Sequence, residues 1–396
     1  MKNDMENLND IKKIGVIGLG KMGKEIFSLF FDAGYHVIGI DVNSQHEFMG
    51  KLQKNLDRSL DRKIIDEKEY YEKKSSFSFS SDMNKLKDCN LIIEAVYEDL
   101  LLKQRIFKEL NGIVSNECII ATNTSSIPLN ETFKYCTNLG RCVGLHFFYP
   151  IKIMDIVEIN KLAVTSSHTC DLLVGIFNKL DKKYIIFNEK SNMFINKILC
   201  ILTTQAYLVC NYFNIGIIQL DEIIKKEMLL FGVFEIVDSV GLNIISESIK
   251  NFTDDRYKNL FAPFLDECNK LISKGYTGGL NEGINDYYKD HVTVESIENI
   301  NDNGHMYNVL DDLYVVLINE IVYIINHYEI HNDKLIYAVS EVLGLRKNLK
   351  QVYEEIGYKK YKDILNRYYD INQWSMYIPL VESEINETLK GGLTYD

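Results

Sequence analysis

No two of the eight cysteines stand at CxxC spacing, proline is scarce, and basic charge is not in excess. Cys89, Cys118, Cys136, Cys142, Cys170, Cys200, Cys210 and Cys268 fall mostly in apolar segments, as small buried hydrophobes do, so neither disulfides nor a metal site are expected. Only four prolines accompany abundant Asn, Lys, Ile and Tyr, a bias that reflects genome composition more than function. No apolar run reads as long enough to span a bilayer. The opening MKNDMENLND lacks both the apolar core of a secretion signal and the Arg-rich, acid-poor character of a transit peptide. A cytoplasmic protein with no membrane partner is therefore expected. Residues 1–190 hold 26 Lys+Arg against 26 Asp+Glu, and residues 191–396 hold 18 against 30, so the whole net charge of −12 is C-terminal. Such a balance argues against nucleic acid, while the neutral N-terminal half leaves room for local cations to meet a phosphate-bearing ligand.

What the chain does contain begins at residue 14. Ile14 to Gly18 reads as a short apolar strand, followed by the glycine loop Gly18-Leu-Gly20-Lys-Met22-Gly23 and a helical pattern. Gly18 permits a tight turn, Gly20 lets backbone approach a pyrophosphate, and Gly23 lets helix and strand pack closely. A second strand, His36 to Ile40, ends in Asp41, about twenty residues after the loop, where a carboxylate accepts from ribose hydroxyls. With no arginine beside Asp41, NAD is favoured over NADP. Further apolar strands at Phe77 to Ser80, Leu91 to Val96 and Cys118 to Asn123, separated by helical stretches, predict an α/β domain of Rossmann type with a doubly wound, mostly parallel sheet. Between Ser44 and Lys74 lies a charge-rich helical segment with Leu52, Leu56 and Leu60 on one face and Ser59 and Lys63 on the other. A solvated face is the simpler explanation for its polar side, and a hairpin clamping a nucleotide-bearing substrate is the other.

Loops at the carboxyl ends of parallel strands bind ligands in such sheets. Glu98 and Lys103 follow the fourth strand there, and Asn123-Thr124-Ser125-Ser126 follows the fifth. One of the two serines could instead cap a helix at Leu129 to Phe133. Two more strands, Cys142 to Phe148 and Asp155 to Asn160, carry His146 and Glu158, which make a base and its orienter if they meet. A last strand, Tyr184 to Phe187, closes the domain. From Asn192 the period is helical, with Asn196 in the first turns of a helix at Phe194 to Phe213. An internal repeat is suggested by two ordered successions, the second starting at Leu310 to His327, with a Gly-containing linker from Gly278 to Gly304. The expected domains are thus residues 1–190, then an all-α region of two copies, 191–295 and 296–396.

The segments GLGKMG, EAVYEDLLLKQRIF running on to ATNTSSIPL, and GLHFFYPIKIMDIVEI closely resemble the NAD-dependent L-3-hydroxyacyl-CoA dehydrogenases, over residues 12 to about 245. The second C-terminal copy looks like the repeated domain of longer members. The resemblance implies an oxidoreductase with His146 as general base, Glu158 fixing its tautomer, Ser125 bonding the substrate oxygen near the nicotinamide, and Asn196 orienting the substrate. It places Glu98 and Lys103 at the NAD and Ser59 at the coenzyme A of an acyl-CoA thioester. Asp66 stands where a lysine is expected, with Lys63 and Lys68 as stand-ins. It also implies a homodimer, or a monomer whose second copy takes the partner's place.

Three positions depart from that pattern: Tyr149 where HFFNP has asparagine, Val233 in place of a proline, and no recognisable KTGxGFY around Gly279 to Gly283. Two alternatives remain open. One is a dehydrogenase of free 3-hydroxyacids using Lys197 for proton transfer, and the other is a non-catalytic relative that kept the NAD fold.

Overall fold

The computed structural model describes residues 11–43, 45–188, 193–279, 281–291, 305–328 and 330–390. It divides into two compact units, Met1–Met193 and Phe194–Asp396. The expected boundaries at 190/191 and 295/296 both lie outside the described residues.

The first unit is an eight-stranded sheet: β1 Lys13–Ile17, β2 His36–Ile40, β3 Phe77–Ser80, β4 Leu91–Glu94, β5 Ile119–Thr122, β6 Cys142–Phe147, β7 Ile156–Lys161 and β8 Lys183–Phe187. The order is β3-β2-β1-β4-β5-β6-β7-β8. The first six strands are mutually parallel, β7 runs antiparallel to β6, and β8 runs parallel to β7. The near-continuous apolar runs of β4 and β5 are what a parallel strand covered on both faces requires. Helices α1 Lys21–Asp32, α2 His46–Asp61, α3 Glu67–Ser75, α4 Leu100–Ile113, α5 Leu129–Thr132 and α6 Ser167–Lys179 complete this unit. Phe27, Phe30 and Phe31 of α1 are buried in the core, with Phe27 stacked on Phe79 of β3 at 4.9 Å.

Local chemistry sets the helix starts. Asp66 caps α3 by accepting from Glu69 N, Asp99 caps α4 through Leu102 N, and Ser166 caps α6 through Thr169 N. Asp66 therefore has a structural reason to stand where the resemblance expects lysine. In the α2–α3 hairpin Leu52 and Leu56 are buried as their spacing predicts, and Leu60 packs partly buried against the same core.

The second unit is helical: α7 Phe194–Phe213, α8 Ile217–Glu227, α9 Val233–Val240, α10 Leu242–Phe252, α11 Lys258–Ser273, α12 Ile284–His291, α13 His305–Tyr328, α14 Asn332–Leu343, α15 Leu349–Ile356, α16 Tyr358–Asn372 and α17 Glu382–Thr388. By length and composition α7 is apolar enough to cross a membrane, which corrects the expectation that no such run exists. Its apolarity has a source in the fold, since 72% of its apolar window is buried within the protein.

Two matching successions run through this unit: a long helix (α7, α13), then α8 or α14, then an eight-residue helix (α9, α15). That short helix ends on a positive-φ glycine, Gly241 or Gly357, which also opens the next helix. The two glycines are 116 residues apart, and so are Leu229 and Leu345, which pair in an antiparallel bridge. Self-pairing of equivalent positions is the contact a two-fold relation produces. The same unit buries a polar group: Glu320 accepts from Arg256 Nη2 at 2.7 Å and from Tyr257 Oη at 2.7 Å, and Lys197 pairs with Asp254 at 2.8 Å.

Candidate active site

The glycine loop joins β1 to α1. Gly18 has φ +85°, and a Cβ at Gly23 would lie 1.8 Å from Gly18 O, so only glycine permits this strand–helix packing. Gly20 differs, because a Cβ there would meet nothing within 4 Å. Its backbone faces open space at the positive end of α1, a cradle that fits a nucleotide pyrophosphate. Met22, in the first turn of α1, packs partly buried against the core. Asp41, at the end of β2, accepts from Leu19 N and Asn43 N, both at 2.7 Å, and so fastens the loop to the carboxylate expected to read the ribose.

Under the ends of β4 and β5 lies a polar network whose centre, Glu94, the sequence reading did not include. Glu94, the last residue of β4, is fully buried and accepts from Lys103 Nζ at 2.8 Å, Thr122 Oγ1 at 2.6 Å and Val96 N at 2.7 Å. Lys103 is itself 1% exposed and also pairs with Glu98 at 3.2 Å. Its ammonium is thus held between two carboxylates inside the protein. Glu98 in turn accepts from Thr124 Oγ1, Ser125 N at 3.0 Å and Ser126 N at 3.3 Å. Burial pushes the Glu98 carboxyl up, but the Lys103 ammonium and these donors outweigh it and hold the group below its ordinary value. Neither serine caps α5, which begins after Pro128 with no side-chain cap, so Glu98 gathers the loop instead.

The sequence signal for this network was an acid ending the apolar run Leu91-Ile-Ile-Glu94. An ionised carboxylate in a covered strand demands a buried cation, and Lys103 lies one turn into the following helix.

His146 and Glu158 are brought together. They are direct cross-strand partners in the β6–β7 register, and Nδ1 lies 2.6 Å from Glu158 Oε2. Both are buried. Phe148 packs edge-on to the imidazole, with ring centroids 4.5 Å apart. Asn123 Oδ1 accepts from Phe147 N at 3.0 Å, tying the Ser125 loop to the strand that carries His146. Tyr149 is 48% exposed, and Lys21 Nζ lies 3.7 Å from its ring centroid.

The remaining expected residues are placed separately. Ser59 is on the outer part of α2, where its hydroxyl donates to Asn55 O, and exposed Lys63 follows the helix with φ +55°. Asn196 lies in the first turn of α7, in the other unit. Lys197 is buried there, with its ammonium on Asp254 at 2.8 Å and 4.3 Å from the Tyr257 ring centroid. Among the described residues no cluster of His, Cys, Asp and Glu could hold a metal, and all eight cysteines are free and buried.

Residues 13–190 match the family described as 3-hydroxyacyl-CoA dehydrogenase, NAD binding domain. Over these residues, the first unit, the chain is similar to that family. Over 277 residues it is 28% identical to a probable 3-hydroxybutyryl-CoA dehydrogenase of Bacillus subtilis, covering 68% of this chain and 94% of that one. A peroxisomal fatty acid beta-oxidation multifunctional protein of Arabidopsis thaliana is 29% identical over 263 residues, 65% of this chain. The chain spans 36% of that plant protein's length. In fold, the crystal structure of 3-hydroxybutyryl-CoA dehydrogenase from Escherichia coli K12 covers 96% of this chain with a TM-score of 0.74 at 16% identity, and this chain covers 99% of it. The open cradle at Gly20 and the fastened Asp41 both lie within the residues matched to the NAD-binding domain.

Proposed function

We propose that this protein interconverts L-3-hydroxyacyl and 3-ketoacyl thioesters of coenzyme A with NAD. The observation that carries the reading is the His146–Glu158 pair, buried, in cross-strand register and 2.6 Å apart. When bound, NAD supplies the nicotinamide that accepts or returns a hydride. With Nδ1–H donating to the Glu158 carboxylate, the imidazole keeps its lone pair on Nε2, the tautomer that takes a hydroxyl proton. After transfer the buried carboxylate stabilises the imidazolium. Ser125, in the loop fastened by Glu98 and Asn123, bonds the substrate oxygen, and Asn196 orders the rest of the acyl group. In this reading Glu94, Glu98 and Lys103 shape the nicotinamide end from behind, while Ser59 and Lys63 meet the coenzyme A. The matched interval of 116 residues supports a duplicated helical domain. It also supports either a dimer or a monomer whose second copy stands in for a partner. Compartment follows as cytoplasmic from the sequence expectation.

A general base contributes about 10²–10⁴ in rate. His146→Ala is therefore expected to lose at least a hundredfold in NADH-dependent reduction of acetoacetyl-CoA while still binding NADH. Undiminished turnover by that variant would remove His146 from the mechanism.

A further inference from the structure

Two unusual residues meet at the edge of the cofactor site. Lys21 is the first residue of α1, whose first turn holds no acid, so its positive charge sits at the positive end of the helix dipole. That position is disfavoured unless an anion or an aromatic face compensates. Tyr149 supplies such a face, with the ammonium 3.7 Å from the ring centroid, inside the range of a close cation–π contact. The ring is not on a loose tip. Ile151, two residues on, is buried in the core, and Lys182 Nζ donates to Ile151 O at 2.8 Å and Met154 O at 2.7 Å. The phenol side chain thus projects from an anchored segment that begins three residues after His146.

Gly20, immediately before Lys21, is the residue whose missing side chain leaves open space in front of the helix end. An anion received there lies beside the ammonium parked on Tyr149. We propose that Lys21 binds the diphosphate of the nucleotide, and that Tyr149 is the positioning residue that holds its ammonium ready. This rests on the NAD-binding reading and adds to it a specific cation and its support. It also gives Tyr149, which replaces the asparagine of HFFNP, a task on the cofactor side of the site.

The test is NADH binding to the full-length protein, followed by nucleotide fluorescence at low and high salt, with adenosine as a phosphate-free control. A charge-assisted contact to phosphate is worth about a tenfold change in affinity. Lys21→Met is expected to weaken NADH about tenfold, to flatten the salt dependence, and to leave adenosine binding unchanged. Tyr149→Phe keeps the ring and is expected to bind NADH as wild type does. Tyr149→Leu is expected to weaken NADH about threefold, as befits an exposed cation–π contact. Because the two residues act as one device, Lys21→Met/Tyr149→Leu is expected to bind no more weakly than Lys21→Met alone. Wild-type binding of NADH with unchanged affinity in Lys21→Met would overturn the proposal alone, as would equal losses in Tyr149→Phe and Tyr149→Leu. Failure of the wild-type protein to bind NADH would overturn the NAD reading together with it.

Discussion

Replacing Glu158 by Gln tests the proposed chemistry at its most constrained point. Glu158 pairs with His146 on one side and with Ile185 of β8 on the other, so strand ladders hold its backbone in place and the change is one of charge. In the ground state the variant exchanges a charge-assisted hydrogen bond for a neutral one, a loss of about 1 kcal/mol. The larger effect comes when the imidazole takes the proton. Two unit charges about 4 Å apart attract by about 4 kcal/mol at an effective dielectric constant of about 20. Without the carboxylate that attraction is absent from the transition state, and 4 kcal/mol corresponds to about a thousandfold in rate. The glutamine amide can also present N–H to Nδ1, which favours the tautomer with its proton on Nε2 and deepens the loss. The assay is steady-state oxidation of NADH with acetoacetyl-CoA, alongside an NADH titration. The expected result is kcat down by about 10³ with NADH affinity unchanged. A kcat within about fivefold of wild type would refute the role given to Glu158, and parallel loss of NADH binding would show instead that the sheet had been disturbed.

Lys103→Met is expected to leave buried Glu94 and its neighbour Glu98 without their shared cation, at a cost of about 3–5 kcal/mol in urea unfolding. Adding Glu94→Gln is expected to restore a good part of that, and strictly additive losses would contradict the network. In the helical unit, Arg256→Met is expected to lower the melting temperature by several degrees because Glu320 stays buried with its charge, and Arg256→Met/Glu320→Gln to recover part of the loss, both read by calorimetry. Burial pushes the Asp221 carboxyl up to about 6, against the two amides of Phe234 and Glu235 that donate to it. The folded protein thus prefers the protonated form, so this group's contribution is fully present below the unfolded value near 4 and is lost as pH rises through about 6. Urea midpoints at pH 4.5 and 7 should differ less in Asp221→Asn than in wild type, and an unchanged pH slope would argue against the shift.

Much of the first unit was legible because its physics is local. A glycine loop between an apolar strand and an amphipathic helix, with an acid closing the next strand, fixes the nucleotide edge of the sheet. His146 and Glu158 were legible as candidates because polar residues inside apolar runs are costly unless used. Their contact was less so, since it depends on β7 turning antiparallel to β6, and the register that places one opposite the other is a tertiary fact. Glu94 escaped notice because an acid at a strand end reads as solvated until the covering elements are known. The ion pairs of Lys103 were not legible for the related reason that the same spacing serves a ligand or a buried counter-ion. The apolar character of α7 is satisfied by packing, which no window of sequence reveals.

The antiparallel turn from β6 to β7 also divides labour between folding units. His146 and Glu158 are brought into register within one unit by its own strand ladder, without any contribution from residues 194–396. Sequence change confined to the helical unit therefore leaves the geometry of the pair as it is.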